Sequence, residues 1–134
     1  MTFGTGIRHA LYAVLDLARA DESNPVSVAS IAHRHHIPET ALAKVFQRLV
    51  RSGLVVGTRG PHGGYRLVRP ASEITVLDVM NAFEPAPPAR AHPAEEVGDD
   101  DSLERFFGAV DGQARTAFAS VTIDQLAERT RNSL

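Results

Sequence analysis

The chain of 134 residues is 43% hydrophobic, enough for a core and against global disorder, and its length suits one domain with an added dimerisation element. It has no cysteine, which excludes disulfides, thiolate zinc sites, thiol redox switches and cysteine-ligated iron–sulfur clusters. The net charge of −2 hides an asymmetry: residues 1–83 carry nine Lys/Arg against six Asp/Glu, and residues 84–134 five against ten, so a polyanion would meet the front half. A first helix is predicted from Thr5 to Ala20, where Ile7, Leu11, Val14 and Ala18, with Ala10 and Leu17 beside them, recur at helical spacing. Its apolar surface is wide enough for more than one packing partner. Asp16 and Arg19 interrupt it too early for a signal peptide, and no apolar run approaches the roughly 18 residues that span a bilayer. A cytoplasmic protein is the simplest expectation.

"DESNP" ends that helix, with Asn24 held extended ahead of Pro25. Ser27 is the expected N-cap of a short second helix that buries Val28, Ile31 and Ala32. After "HHI", Pro38 and Glu39 open a third helix with Leu42, Val45, Phe46, Leu49 and Val50 on one stripe. Two helices across a tight turn form a helix-turn-helix pattern. Gly53 is the expected C′ residue, and "LVVGTR" and "YRLVRP" read as strands on either side of a glycine-rich turn. Thr75 and Asp78 suit a capped fourth helix, with Ile74 and Val79 as its hydrophobic staple. Residues 84–101, rich in proline, alanine and acid, read as a mobile loop.

A long helix is expected from about Asp101, with Leu103, Phe106, Phe107, Val110, Ala114, Ala117, Phe118 and Val121 on its apolar face. Two adjacent phenylalanines are difficult to hide on a lone helix, and a second chain would cover them. Leu103, Phe106, Phe107, Val110, Ala114 and Phe118 are therefore the candidate dimerisation residues. Thr122 and Gln125 form a capping-box pair for a last short helix.

Opposite the apolar stripe, the third helix shows Thr40, Lys44, Gln47 and Arg51, flanked by Ala41, Ala43 and Arg48. Such a face offers donors to base edges and phosphates, with small residues where backbone must come close. An ordinary solvated helix face has the same look. The hairpin shifts the balance toward the first, because a helix-turn-helix followed by a basic, glycine-rich hairpin is a winged helix. Arg59 lies at the tip, where a cation can enter a minor groove, with Gly60, His62 and Gly63 around it. Tyr65 and Leu67 are expected to face inward. A nucleotide-binding loop is disfavoured, since "GPHGGY" lacks the G-K-[ST] ending.

With "LYAVLDLA", "GLV…RGPHGGYRL" and "ITVLDVMNAFE" in this order, residues 5–84 resemble the winged-helix region of Rrf2-type bacterial transcription regulators. The fold class expected is mainly α with a small β-hairpin wing. Residues 1–83 form the winged helix-turn-helix, 84–101 the loop, and 102–134 the dimerisation helix and a short terminal helix. The resemblance implies a homodimeric repressor or activator on double-stranded operator DNA; no catalytic constellation appears among the residues, so no enzyme is expected. It assigns Pro38, Thr40, Ala41, Ala43 and Lys44 to the recognition helix and Arg59 to the minor groove. It places dimerisation on the helix near 102–120, braced by the first helix. Many members hold an iron–sulfur cluster through three cysteines in the loop that corresponds to 84–101. Here that loop has none, and Arg8 stands where some members supply a further ligand. No cofactor is expected, and the signal is a small molecule, a protein partner or no ligand at all.

Two other functions compete. A winged helix can serve protein–protein contact without specific DNA binding. His33, His35 and His36 offer a metal alternative, with His33 and His36 spaced to share a helical face, although histidines at a helix end commonly face solvent.

Overall fold

The computed structural model describes residues 4–20, 24–61, 63–83 and 101–131. Among these residues six α-helices and one antiparallel hairpin follow in chain order: α1 (Thr5–Arg19), α2 (Val28–His35), α3 (Glu39–Arg51), β1 (Val55–Thr58), β2 (Gly64–Leu67), a 3-10 turn (Ala71–Glu73), α4 (Val76–Asn81), α5 (Asp101–Ala119) and α6 (Ile123–Arg131). The predicted loop at 84–101 falls outside the described residues except for Asp101, which already belongs to α5.

The wide apolar surface of α1 makes it the central helix. Ala10, Ala13 and Val14 are fully buried, and α1 packs on α2, α3, α4, α6 and the hairpin. Its partners are oriented by local hydrogen bonds. Ser27 Oγ accepts from the Ser30 N–H at 3.1 Å and starts α2. Thr75 and Asp78 exchange side-chain and backbone bonds at 3.1 and 3.0 Å, completing the capping box of α4. The expected pair on α6 forms only half. Gln125 Oε1 accepts from the Thr122 N–H at 3.1 Å, while the Thr122 hydroxyl turns to the carboxylate of Asp124.

On α3, Leu42, Phe46 and Leu49 are fully buried and Val45 nearly so, but Val50 is 43% exposed. At 100° per residue Val50 lies about 80° round from Leu42, on the edge of the stripe. Pro38 occupies the N-cap rather than the first turn. The strands are shorter than "LVVGTR" and "YRLVRP" suggested. Arg59 and Gly60 already belong to the turn, and beyond β2 only the Val68 N–H to Leu54 O bond, 3.0 Å, extends the pairing.

Val26 adds a third, one-residue rung to the hairpin. Its N–H donates to Tyr65 O at 2.9 Å, and its carbonyl accepts from the Tyr65 N–H at 2.8 Å. Gly64 makes this rung possible, because a Cβ there would sit 2.5 Å from Val26 O. The Cβ is fixed by the backbone it is attached to and meets backbone atoms of Val26, so no rotamer relieves the clash. Gly64→Ala should cost about 1–3 kcal/mol, seen as a lower urea midpoint; an unchanged midpoint would show that the rung is dispensable.

The chain returns to its own core at the C-terminus. The Ile123 N–H donates to Ile74 O at 2.8 Å, the Val76 N–H to Val121 O at 2.9 Å, and Ile123 is fully buried. No helix among the described residues is long and apolar enough to cross a membrane.

Candidate nucleic-acid interface

The polar side of α3 stands in solvent as its spacing suggests. Thr40, Lys44, Gln47 and Arg51 are exposed, Pro38 is exposed at the entry, and Ala41 and Ala43 are half-buried beside them. Apart from Glu39 in the first turn, this helix carries no carboxylate. Its cations therefore face outward without an acidic partner on the same helix. Arg48 is used differently. Its guanidinium donates to Phe83 O at 3.3 Å and lies over the Phe83 ring, 5.5 Å from the centroid. It braces α3 against the end of α4, a role invisible on a wheel because Phe83 is far away in sequence.

The wing is tied to α3 through one aromatic pair. The rings of Tyr65 and Phe46 stack with centroids 4.4 Å apart at 22°. Tyr65 and Leu67 both pack against the core, the inward orientation expected of them. At the tip, Gly60 adopts φ 113°, a conformation that side-chain-bearing residues rarely reach, and the Gly63 N–H closes the turn onto Gly60 O at 2.9 Å. Arg59 is exposed at this turn, and His62 lies outside the described residues.

A buried charge joins α1 to the helix-turn-helix, and sequence reasoning missed it. Asp16 is 3% exposed, with Oδ2 2.9 Å from His35 Nε2 and 3.4 Å from Arg34 Nη1. Tyr12 stacks on His35 at 4.9 Å. A carboxylate on the apolar side of one helix, with Arg and His at the end of the next, was the signal available. The histidine cluster is thereby divided. His35 serves Asp16, His33 is exposed, and His36 leaves the helix at φ 56° to make the turn, so His33 and His36 share no helical face. Among the described residues no three His, Cys, Asp or Glu side chains are grouped to hold a metal.

On α5, Leu103, Phe106, Phe107 and Val110 are 43–60% exposed, while Ala114 and Phe118 are half-buried and Phe118 packs against the core. The six expected dimerisation residues thus divide between an open N-terminal half and a C-terminal half that packs inward.

The family profile described as Rrf2, iron-dependent transcriptional regulator, matches residues 3–129. The chain is 43% identical over 86 residues to the HTH-type transcriptional regulator IscR of Cereibacter sphaeroides, 63% of this chain and 56% of that protein. It is 36% identical over 121 residues to BadM of Rhodopseudomonas palustris, 87% of this chain and 74% of that protein. The aligned segment spans about half the length of the IscR relatives. Among solved structures it is similar to IscR of T. potens, with a TM-score of 0.83 at 25% identity, covering 99% of this chain and 90% of that one. It is also similar to CymR, the global cysteine regulator of B. subtilis, with a TM-score of 0.75 at 28% identity over 96% of this chain and 98% of that one. The iron in the profile's description finds no thiolate here, because the chain has no cysteine. The residues present do not fit a cysteine-ligated iron–sulfur cluster. The profile match runs from ahead of α1 into α6, and the chain belongs to the Rrf2 family, as a member without cluster cysteines.

Proposed function

We propose that the chain is a sequence-specific DNA-binding repressor that acts as a homodimer and carries out no catalytic step. In this reading α3 enters the major groove, where Thr40, Lys44, Gln47 and Arg51 reach bases and phosphates. Pro38, Ala41 and Ala43 let the backbone approach, and Arg48 holds the helix in place while adding positive charge. The wing brings Arg59 to the neighbouring minor groove, with Gly60 and Gly63 at the tip. Residues 1–83 supply DNA binding and 102–134 dimerisation, through the exposed face of α5. The signal is something other than a cysteine-ligated cluster. Such a protein works in the compartment that holds the DNA.

The observation that carries this reading is the rigid link between two cationic elements. The exposed face of α3 and the Arg59 wing are locked together by the Phe46–Tyr65 stack. A module for protein contact has no need of a wing held at a fixed angle to an acid-poor helix.

Binding to genomic fragments should fall with salt at a slope near −0.9 per phosphate contact in a log–log plot. Arg59→Ala should weaken binding at least tenfold and, with one arginine lost from each protomer, flatten the slope by about 1.8, with the dimer intact. Salt-independent binding, or none across a fragment library, would favour the protein-contact module instead. Undiminished affinity of Arg59→Ala would remove the wing from the interface.

A further inference from the structure

Among the described residues, Asp16 is the single buried charged side chain, and its carboxylate is only half used. The His35 Nε2–H donates to Oδ2 at 2.9 Å, and the Arg34 guanidinium stands 3.4 Å from the same oxygen. Oδ1 is buried and has no hydrogen-bond partner among the described residues. A buried acceptor left unpaired costs stability, and a buried ion pair often fails to offset its own desolvation. Arg34 is exposed and His35 only half-buried, so an apolar residue in place of Asp16 would leave neither cation stranded in the core. Stability does not account for this carboxylate. Its position does.

Tyr12, one turn before Asp16 on α1, stacks on His35 with ring centroids 4.9 Å apart at 25°. The imidazole is thus held on its face by Tyr12 and at its edge by Asp16. His35 is the last residue of α2, and His36 after it takes φ 56°, the only positive φ outside glycine among the described residues. Such a conformation persists where its surroundings hold it. The Ile37 N–H closes the turn onto Ala32 O at 3.0 Å, and α3 begins two residues later. We propose that Asp16 is a positioning residue for DNA binding: through His35 it holds the left-handed turn at His36, and that turn sets the direction in which α3 leaves α2. The step to DNA rests on the DNA-binding reading; the hold on the turn does not. Asp16 is too buried to touch DNA, and its charge opposes a polyanion. Its removal would raise DNA affinity if charge decided, and lowers it if aim decides.

Asp16→Ala in the full chain tests both steps. Its urea midpoint should equal or exceed that of the parent. Hydrogen exchange at the Ile37 amide, measured without DNA, should speed up about tenfold, as expected when a charge-assisted bond that holds a turn is lost. Affinity for fragments selected from genomic DNA should fall about tenfold relative to a scrambled duplex, the size of a lost base contact. Unchanged exchange at Ile37 would overturn the hold on the turn, whether or not the chain binds DNA. A higher affinity for the selected fragments, or an equal loss on selected and scrambled duplexes, would overturn the aiming role. A lower midpoint with exchange raised at all amides alike would also overturn it, because Asp16 would then serve the fold as a whole. Tyr12 is exposed, so Tyr12→Leu remains informative if Asp16→Ala fails to fold. It should speed exchange at Ile37 in the same sense, and no change there would count against the proposal. If the parent binds no DNA while Asp16→Ala still frees the Ile37 amide, the DNA reading fails and the hold on the turn stands.

Discussion

Phe46→Ala should lower the stability of the fold by about 3–5 kcal/mol, the range for emptying a buried aromatic site. Phe46 is among the largest fully buried side chains and belongs to the cluster where α3 meets α1 and the hairpin. Truncation removes its transfer energy and leaves a cavity that backbone on several sides cannot fill. Native domains hold only about 5–15 kcal/mol in total, so the variant should approach the edge of folding. A second loss concerns function. The Tyr65 ring would no longer rest on its partner, and an aromatic pair contributes about 0.5–1.5 kcal/mol beyond area burial. The wing should then lose its fixed angle to α3. Urea unfolding should show a lower midpoint with an unchanged m-value. In conditions where the variant is still folded, its DNA affinity should also fall. A cycle with Tyr65→Leu isolates the stack, since residues in contact give non-additive losses. A destabilisation below about 1 kcal/mol would mean that the site collapses around the missing ring and that the wing is held elsewhere.

The legible parts of the fold were those written in short-range periods. The stripe of Leu42, Phe46 and Leu49, the Thr75–Asp78 box and the glycine-rich turn depend on residues a few positions apart. Spacing alone exposes such patterns. Val26 shows the opposite case. It pairs with Tyr65 through a single rung, and one residue has no periodicity to read. Asp16 was read as a charge that spoils a leader-like segment, yet its partners Arg34 and His35 are supplied by the next helix. The half-formed box at Thr122 fails because Asp124, two residues on, competes for the hydroxyl that Gln125 was expected to engage. The candidate interface divides in the same way. Thr40, Lys44, Gln47 and Arg51 follow from the wheel, whereas the bond from Arg48 to Phe83 depends on how α4 ends beside α3. Local chemistry was legible and tertiary competition for the same groups was not.

In the proposed dimer, Phe107→Asp should leave only monomer and reduce the affinity for a two-half-site operator about a hundredfold. The first half of α5 leaves Phe106 60% and Phe107 56% exposed, with Leu103 and Val110 beside them. The two rings meet edge to face at 5.8 Å and form one continuous apolar surface. Monomers seldom leave a patch of this kind in water, and on a second α5 it would be self-complementary about a two-fold axis. An aspartate at its centre would have to be buried without a cationic partner, which association cannot offset. The fold of each protomer should survive, because this half of α5 contributes nothing to the buried core, whereas Phe118 at the other end does pack against it. Light scattering should therefore report 14.5 kDa in place of twice that mass, with helical content unchanged. The DNA effect follows from linkage of two sites, where joining them raises affinity by about 10²–10⁴ without new contacts. Binding to a single half-site should be nearly unaffected. A variant that keeps the doubled mass would move the interface off α5. Loss of half-site binding as well would mean that α5 shapes the DNA-binding surface directly.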